Sequence, residues 1–292
     1  MLPSCTHHKQ IHLSRVQQMI TSHLPQELVD MIIDHLFNDR KTLARCALVS
    51  RHWVDTAYMH LCAKISPLDS PSRIPSLTTF ALTLPSFSHI QQYTRHLGLY
   101  SPPKSRKKVN ISIEALSSVL ENLPHLDTLT CGDVELVLQP RKTNSSSRHV
   151  KTPLRVPHVR FCNTHFTSYE ATTSALHNLL SRLDGTQTLS LTHITFGSND
   201  LSLFIPAKTR ANLQKLVTVD IATHLADRLI ILRNTLDLPG IISFGTSLSS
   251  AENIELVGSF LRDSLRHISV LELNLQNYAN ESTSLFISDR HE

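Results

Sequence analysis

Glycine, tryptophan and tyrosine are scarce in this sequence. Its 292 residues include seven glycines, one tryptophan and five tyrosines. So few glycines leave few places where the backbone can approach and cradle a phosphate. No Gly-x-Gly-x-x-Gly, P-loop or Gly-x-Ser-x-Gly pattern occurs, and the few large rings offer little surface for stacking bases. These absences argue against nucleotide-dependent chemistry, serine-hydrolase chemistry and the binding of single-stranded nucleic acid.

The cysteines and the apolar runs exclude further classes. The five cysteines are too widely spaced to form a Cys-x-x-Cys pair, which argues against a zinc ribbon and a thioredoxin-like site. We expect reduced, mostly buried thiols. No apolar run approaches the roughly 18 residues that span a bilayer, and the first twenty residues lack the apolar centre of a signal peptide. The sequence predicts a soluble, cytoplasmic and/or nuclear protein without a cofactor.

Positive charge is concentrated in one stretch. The net charge is +4, and residues 101–160 hold ten Lys and Arg against five Asp and Glu. The segment Pro103–Lys108 resembles a nuclear-import or phosphate-contacting run, although such runs are usually solvated loops. Arg141–Lys151 reads as a flexible insertion loop. The N-terminal histidines His7, His8 and His12 could bind a metal, but no cysteine or carboxylate pattern completes a site, and a partly basic tail is the simpler interpretation.

Residues 25–62 are expected to form three helices. Pro25 suits the first helical position, and Glu27 faces the positive end of the helix dipole. Projected at 100° per residue, five side chains form an apolar arc of about 140°: Leu28, Val29, Ile32, Ile33 and Leu36. The predicted helices are Pro25–Phe37, Lys41–Leu48 and Ser50–Cys62, the second capped by Asn38 or Asp39.

A distinctive set of residues recurs through these helices. Leu24-Pro25 opens the first, Leu28 and Ile32 follow at intervals of four, and Val49-Ser50-Arg51-His52-Trp53 begins the third. This combination resembles an F-box, with Ser50 in place of the commoner Cys and a slightly long gap between the first two helices, as in many fungal F-box proteins. The alternative is an ordinary helical subdomain whose apolar stripe is all core.

The resemblance implies a docking module without catalytic activity. F-boxes bind the Skp adaptor of a cullin–RING ubiquitin ligase, so the expected partners are that adaptor, the ligase and an unknown protein substrate. An apolar helix face can dominate such binding because it removes area from water at about 25 cal/mol per Å². The residues at the family's contact positions are Leu24, Pro25, Leu28, Ile32, Val49 and Trp53.

A weak repeat runs through the remainder of the chain. Short apolar-x-apolar elements recur at intervals of 32, 30, 30, 28, 24 and 30 residues, with helix-like segments between several of them. The elements are Leu97-Gly98-Leu99, Leu129-Thr130-Cys131, Val159-Arg160-Phe161, Leu189-Ser190-Leu191, Val217-Thr218-Val219, Ile241-Ile242 and Leu271-Glu272-Leu273. The helix-like segments are Ser112–Leu123, Ser168–Leu183, His224–Leu236 and Ala251–Arg266.

A fixed period of one strand and one helix indicates a solenoid, and a period near 30 residues resembles leucine-rich repeats. The asparagine that usually closes each turn is missing, because Val134 and Ile194 stand at the expected positions. The predicted fold class is α+α/β, a small three-helix F-box followed by an irregular αβ solenoid. A generic α/β domain with a mixed sheet is the alternative. The expected segments are a disordered tail over 1–21, the F-box over 22–65, a linker over 66–88, the repeat domain over 89–278 and a C-terminal tail over 279–292.

Residues between the apolar pairs of each repeat should face outward from the sheet. They are small or singly charged, which suits a protein surface better than a small-molecule pocket. The substrate-facing candidates are Thr130, Arg160, Ser190, Thr218 and Glu272.

Three functions remain open from the sequence. The first is a substrate receptor of an SCF-type ubiquitin ligase, which acts by holding a target near the conjugating enzyme. The second is an F-box scaffold that delivers no substrate for degradation. The third is a basic nucleic-acid-binding protein using residues 104–160. An enzyme is the least expected, because no set of residues assembles a reacting centre.

Overall fold

A computed structural model shows two units that divide between Lys64 and Ile65. The residues it describes are 24–68, 76–102, 108–138, 154–168, 175–183, 185–196, 215–219, 229, 241–248, 251–264, 268–275 and 283–288. The N-terminal histidines, Arg141–Lys151 and all but Lys108 of the Pro103–Lys108 run lie outside these residues, so the interpretations placed on them stay predictions.

Three helices form the first unit: α1 (Gln26–His35), α2 (Arg40–Val49) and α3 (Arg51–Ala63). Their bounds differ from the predicted ones by one or two residues. At the start of α1 the difference arises because Pro25 serves as the cap and not as the first residue. Asp39 caps α2 by accepting hydrogen bonds from the backbone N–H groups of Lys41 and Thr42, each at 3.1 Å. Side-chain acceptors of this kind satisfy donors that the first turn leaves unpaired.

The core of the first unit is small. Val29 and Ile33 of α1 and Leu43 of α2 are fully buried and pack together. Four partly buried side chains pack around them: Leu24, Leu36, Trp53 and Leu61. A unit of this size hides only part of its apolar surface, as is expected for a domain of about forty residues.

The second unit begins with helices where the sequence predicted a linker. Residues 76–88 lie within the stretch interpreted as linker, and they form α4 (Leu77–Thr83), a 3₁₀ turn (Leu84–Ser86) and the start of α5 (Ser88–Tyr93). Leu77, Ala81 and Leu84 are buried in the main core. The linker prediction is therefore wrong for these residues: the Pro and Ser spacing hid an apolar i, i+4 pair that a helix could bury.

Parallel strands make up the larger sheet of the second unit. In the order β2, β4, β6, β8, β10, β11, β12, each strand pairs in parallel with the next, and β13 pairs antiparallel with β12. A two-residue strand, β1 (Lys64–Ile65), lies at the division between the units. The strands of the larger sheet are β2 (His96–Tyr100), β4 (Thr128–Gly132), β6 (His158–Cys162), β8 (Thr188–Thr192), β10 (Lys215–Val219), β11 (Ser243–Leu248), β12 (Val270–Leu275) and β13 (Thr283–Ser288).

A second parallel sheet accompanies the first. Its order is β3, β5, β7, β9, and three of its strands follow a strand of the larger sheet after a single corner. Its strands are β3 (Val109–Ser112), β5 (Val134–Leu138), β7 (His165–Ser168) and β9 (Thr195–Phe196). The remaining described helices are α6 (Ile113–Glu121), α7 (Ala175–Leu180) and α8 (Ala251–Ser264). The second unit is thus an α/β region built on parallel sheets.

The corners between the two sheets share one backbone conformation. Asp133, Asn163 and His193 have φ values of 56°, 50° and 52° and each follows the last residue of a strand. Asp, Asn and His tolerate this left-handed region better than other side chains do. The N–H of Asp133 donates to the carbonyl of Cys162 at 3.0 Å, and that of Asn163 to the carbonyl of Thr192 at 2.8 Å. The residue with the left-handed conformation therefore lies one position before the position expected from the sequence: Asp133 precedes Val134, and His193 precedes Ile194.

Buried strand residues repeat in register across the larger sheet. Leu97, Leu129, Val159, Leu189 and Leu216 align and are all buried. In the second buried row, Phe161 meets Phe166 of β7 edge to face, with ring centroids 5.2 Å apart. A continuous apolar layer of this kind supplies most of the stabilisation of a parallel sheet.

Two predicted repeat elements are shifted. Leu216 of β10 is buried and aligns with Leu189, so Val217 and not Thr218 aligns with Ser190. Ile241-Ile242 precedes its strand, and β11 begins at Ser243. Both regions offer several adjacent apolar residues, and a slip of one residue exchanges the two faces of a strand. Residues 283–288 were predicted to be part of a tail, but they form strand β13, which pairs with β12. The polar residues around this segment gave no sign of a strand in the sequence.

Candidate functional site

Helices α1 and α3 are parallel, and three side-chain contacts join them at matching positions. The Nε2 of Gln26 donates to the carbonyl of His52 at 3.3 Å. One turn later, the Oγ1 of Thr56 donates to the Asp30 carboxylate at 2.5 Å. A further turn on, His60 Nε2 lies 2.7 Å from Asp34 Oδ1. Each pair is separated by 26 residues, so the two helices are parallel and turn in step.

The apolar arc of α1 is divided between the core and the surface. Val29 and Ile33, nearest α3, are completely buried. Leu28 and Ile32, on the other half of the arc, remain 45% and 43% exposed. Periodicity alone places the five apolar residues on one face of α1. In the structure this face is divided: the chain covers Val29 and Ile33 and leaves Leu28 and Ile32 exposed as a stripe.

The junction of α2 and α3 adds a second exposed apolar pair. Leu48 and Val49, the last two residues of α2, are 86% and 50% exposed. Ser50 both ends α2 and caps α3, because its extended backbone turns the chain and its Oγ accepts from His52 N–H at 3.4 Å. A cysteine at this position would be a poorer cap than serine. The Ser50 departure from the usual F-box pattern therefore has a structural use.

The predicted docking residues fall into two groups. Leu28, Ile32 and Val49 are exposed, together with Pro25. Leu24 and Trp53 instead pack against the core, and Trp53 Nε1 is buried with no hydrogen-bond partner among the described residues. Because the Gln26 side chain reaches the His52 carbonyl, the start of α1 lies beside the start of α3. Pro25, Leu28 and Val49 therefore lie toward this end of the unit, and Ile32 lies one helical turn further along α1.

Other exposed apolar residues were missed. Besides Leu48, the first unit exposes Met31, Phe37 and Met59. Met31 lies at the far side of α1 from the core arc, so a hydrophobic-face argument passes over it. Large apolar side chains exposed next to one another mark interaction surfaces in soluble proteins. A pattern search for apolar residues left over after the core is assigned would have found them.

The acidic side chains of α1 lie away from the exposed stripe, and Asp30 and Asp34 contact α3. Glu27, Asp30 and Asp34 are all on α1. Asp39, before α2, has a pKa held below its usual 3.8, chiefly by the hydrogen bond from the Thr42 hydroxyl, with the backbone N–H of Thr42 next. Burial raises the pKa of the Cys62 thiol on α3. The acidic residues of α1 thus mark the seam with α3, and the exposed stripe itself is apolar.

The predicted substrate-facing residues are partly aligned. Thr130, Arg160 and Ser190 occupy one row across β4, β6 and β8. Glu272 of β12 is in the same row, because Ser190 aligns with Val217, Val217 aligns with Gly245, and Gly245 aligns with Glu272. Thr218 does not belong to it, because it aligns with Leu191 in a row that is buried elsewhere. Four of the five candidates therefore share a row, and Val217 takes the place given to Thr218.

Among the described residues, no group of three or more His, Cys, Asp or Glu side chains is arranged to hold a metal ion. Across the same residues, no helix combines the length and the apolar character that crossing a membrane requires.

A protein-family model matches the first unit of this chain. The F-box-like family model matches residues 21–63, which include all three helices and both exposed apolar pairs. A comparison of the whole chain with curated proteins finds no match. The chain therefore contains an F-box-like domain. Domains of this kind are typically non-catalytic adaptors that bind the Skp subunit of SCF complexes.

Proposed function

We propose that this protein is a substrate-receptor subunit of an SCF-type cullin–RING ubiquitin ligase. Its F-box-like domain docks on the Skp adaptor, and its second unit, a leucine-rich-repeat-like solenoid, presents a target protein. The observation that carries the proposal is the exposed pair Leu28 and Ile32 on a helix inside the F-box-like match.

The energetics support docking at this stripe. A large aliphatic side chain contributes about 1.5–3 kcal/mol when it is fully buried. Leu28 and Ile32 each retain nearly half of their accessible surface, so a partner that covers both gains about 2 kcal/mol from them. Leu48 and Val49 add a second apolar edge at the α2–α3 junction. A few such side chains account for most of the binding energy in many interfaces.

Leu24 and Trp53 have a different part in this proposal. Both pack against the core of the first unit, so we assign them to holding the stripe in position. Replacing Leu24 and Pro25 by alanine would then disturb the fold as well as the docking surface. Variants at Leu28 and Ile32 separate the two effects better, because they remove exposed surface.

The second unit supports the presenting role. Its parallel strands align small and singly charged side chains in one row. Successive turns from Asp133 to His193 repeat the same backbone conformation at intervals of 30 residues. Such repetition builds a broad, regular surface suited to binding another protein. Holding the target close to the conjugating enzyme makes transfer of ubiquitin effectively intramolecular.

The test is co-purification of the full chain with the Skp adaptor. We expect Leu28→Ala with Ile32→Ala to weaken the complex by more than about ten-fold, in keeping with the apolar area lost. The matched control is Leu82→Ala with Ile254→Ala, which removes two exposed aliphatic side chains of the second unit. Fluorescence of the single tryptophan, Trp53, shows whether the first unit stays folded. Undiminished Skp binding by the folded Leu28/Ile32 variant would refute the docking proposal.

Delivery for degradation requires a second measurement. Proteins captured by the wild-type chain and still captured by the Leu28/Ile32 variant are target candidates. A receptor predicts that their abundance rises in cells that express the variant in place of the wild type. Unchanged abundance would instead indicate a scaffold that delivers no substrate. We place this activity in the cytoplasm, the nucleus or both, where the ubiquitin ligase acts.

A further inference from the structure

One face of the larger sheet carries small side chains and no negative charge on four of its strands. The second and fourth residues of β2, β4, β6 and β8 enter the core, and the first, third and fifth residues form what we call the outer face. The outer face consists of His96, Gly98, Tyr100, Thr128, Thr130, Gly132, His158, Arg160, Cys162, Thr188, Ser190 and Thr192.

The outer face has an uncompensated positive charge. Its twelve described positions include no Asp or Glu, whereas Arg160, His96 and His158 are basic and exposed. Within the described part of the chain, no hydrogen bond or ion pair is formed by the Arg160 guanidinium. Glu272 shares its row but lies four strands away, about 19 Å at the usual strand spacing. Arg160 is therefore available to a ligand.

The neighbours of Arg160 leave it accessible. Thr130 and Ser190 are its register partners on β4 and β8, and their hydroxyls lie about 5 Å away on either side. Both are too short to cover a guanidinium. They also supply hydrogen-bonding groups beside it.

A flat aromatic ring lies at the edge of the same face. The ring of Tyr100 covers Gly98 and Gly132, since a Cβ added at either glycine would come within 2.6 Å of a ring carbon. Only glycine leaves room for the ring at these two positions. Aromatic rings held against a sheet are frequent anchors in protein interfaces because they lose little conformational freedom on binding.

We infer that the outer face binds an acidic, carboxylate-bearing segment of a target protein, with Arg160 pairing with the carboxylate and Tyr100 packing against the adjoining chain. This inference rests on the proposed function and names the class of its target. A single permanently charged guanidinium matches one carboxylate, which it can bind through two parallel hydrogen bonds. The repeated phosphates of a nucleic acid require several cations in a row, and the outer face has one arginine.

The probe is a fluorescein-labelled dodecapeptide of alternating Glu and Ser, with a twin in which Gln replaces Glu. Binding to the full chain is followed by fluorescence anisotropy at low salt. We expect the Glu peptide to bind at least about five-fold more tightly than the Gln peptide, and Arg160→Gln to remove this preference, as for an exposed charge pair of roughly 1 kcal/mol. The matched control, Arg262→Gln, alters an exposed arginine on α8 and should bind like the wild type.

A second variant keeps Arg160 in place. Thr130→Glu puts a carboxylate beside Arg160 in the same row and should compete with the peptide, reducing its affinity by a similar factor. Equal binding of the Glu and Gln peptides, or full binding by folded Arg160→Gln, would overturn the inference. So would tighter binding of an oligouridylate than of the Glu peptide. Co-purification of the Arg160→Gln variant with the Skp adaptor separates the two proposals, because Arg160 lies outside the F-box-like match. If this variant keeps Skp binding while the peptide results contradict the inference, only the acidic-segment inference has failed.

Discussion

The carboxylate of Asp34 lies 2.7 Å from the Nε2 of His60, one helical turn beyond the contact between Asp30 and Thr56. With the Gln26 bond to the His52 carbonyl, these contacts hold α1 and α3 parallel at a constant offset. Rotation of α1 by one residue would move Leu28 and Ile32 by 100° around the helix. The polar seam therefore determines which apolar residues of α1 stay exposed.

Loss of the central seam contact should destabilise the first unit. Asp30 is partly buried and accepts from both Gln26 and Thr56, so Asp30→Ala should lower its free energy of unfolding by about 1–2 kcal/mol. Urea unfolding of the full chain, followed by Trp53 fluorescence, measures this change. Asp55→Ala removes an exposed carboxylate of α3 and should change stability by less than about 0.5 kcal/mol. Equal effects of the two substitutions would mean that the seam does not contribute.

The Asp39 cap should make the first unit sensitive to acid. Its folded pKa is below the usual 3.8, mainly through the Thr42 hydroxyl. A depressed carboxyl pKa stabilises the folded state above the unfolded value, and this contribution is lost as the pH falls through the folded value. Asp39→Ala should lower the melting temperature at pH 6, and its difference from the wild type should shrink as the pH falls below 3.8.

A donor variant tests the cause of that pH dependence. Thr42→Val removes the Thr42 hydroxyl and keeps the backbone N–H groups that bind Asp39. We expect a smaller loss of melting temperature between neutral and acid pH than in the wild type. An unchanged pH profile in Thr42→Val would show that the hydroxyl does not hold the pKa down.

The two cysteines of neighbouring strands should differ in reactivity. Cys131 of β4 is completely buried, and burial raises the pKa of its thiol, whereas Cys162 of β6 is partly exposed on the outer face. Only the thiolate reacts with alkylating reagents. Iodoacetamide at pH 8 should modify Cys162 in the folded protein and Cys131 only after denaturation. Peptide mass spectrometry distinguishes the two, and early modification of Cys131 would contradict the buried placement.

The buried aromatic pair should be sensitive to truncation. Phe161 is fully buried and packs edge to face on Phe166, so Phe161→Ala should cost about 3–5 kcal/mol through lost burial and the cavity it leaves. Denaturation monitored by far-ultraviolet circular dichroism measures this loss. His158→Ala, on the exposed face of the same strand, should be nearly neutral. A loss below about 1 kcal/mol for Phe161→Ala would mean that the two sheets do not pack through this pair.

Much of the fold could be predicted from local pattern. A capping residue such as Asp39 marks a helix start because its side chain bonds to nearby N–H groups. The alternation of apolar residues identified buried positions in four strands of the larger sheet: β2, β4, β6 and β8. These positions align with one another across the sheet. The pattern failed at β10, where Leu216, Val217 and Val219 are all apolar and alternation cannot select one face.

The candidate surfaces were less predictable. An apolar side chain on a helix has the same local signal whether it enters the core or faces a partner, so Leu28 and Val29 could not be told apart by periodicity. Leu48 was missed for the same reason, and Met31 was missed because it lies outside the apolar arc of α1. The Tyr100 ring over Gly98 and Gly132 joins residues on two strands, and a single strand's pattern contains no trace of that contact.

The amino-acid sequence by itself determined the three N-terminal helices, the Asp39 cap of the second helix and the parallel repeat of the early strands. These depend on hydrogen bonds and apolar spacing within a few residues. Tertiary structure alone decided which half of the α1 arc stays exposed and that Leu77, Ala81 and Leu84 join the core. Both outcomes depend on area that distant segments remove from water, and no short window of sequence records which segments will meet.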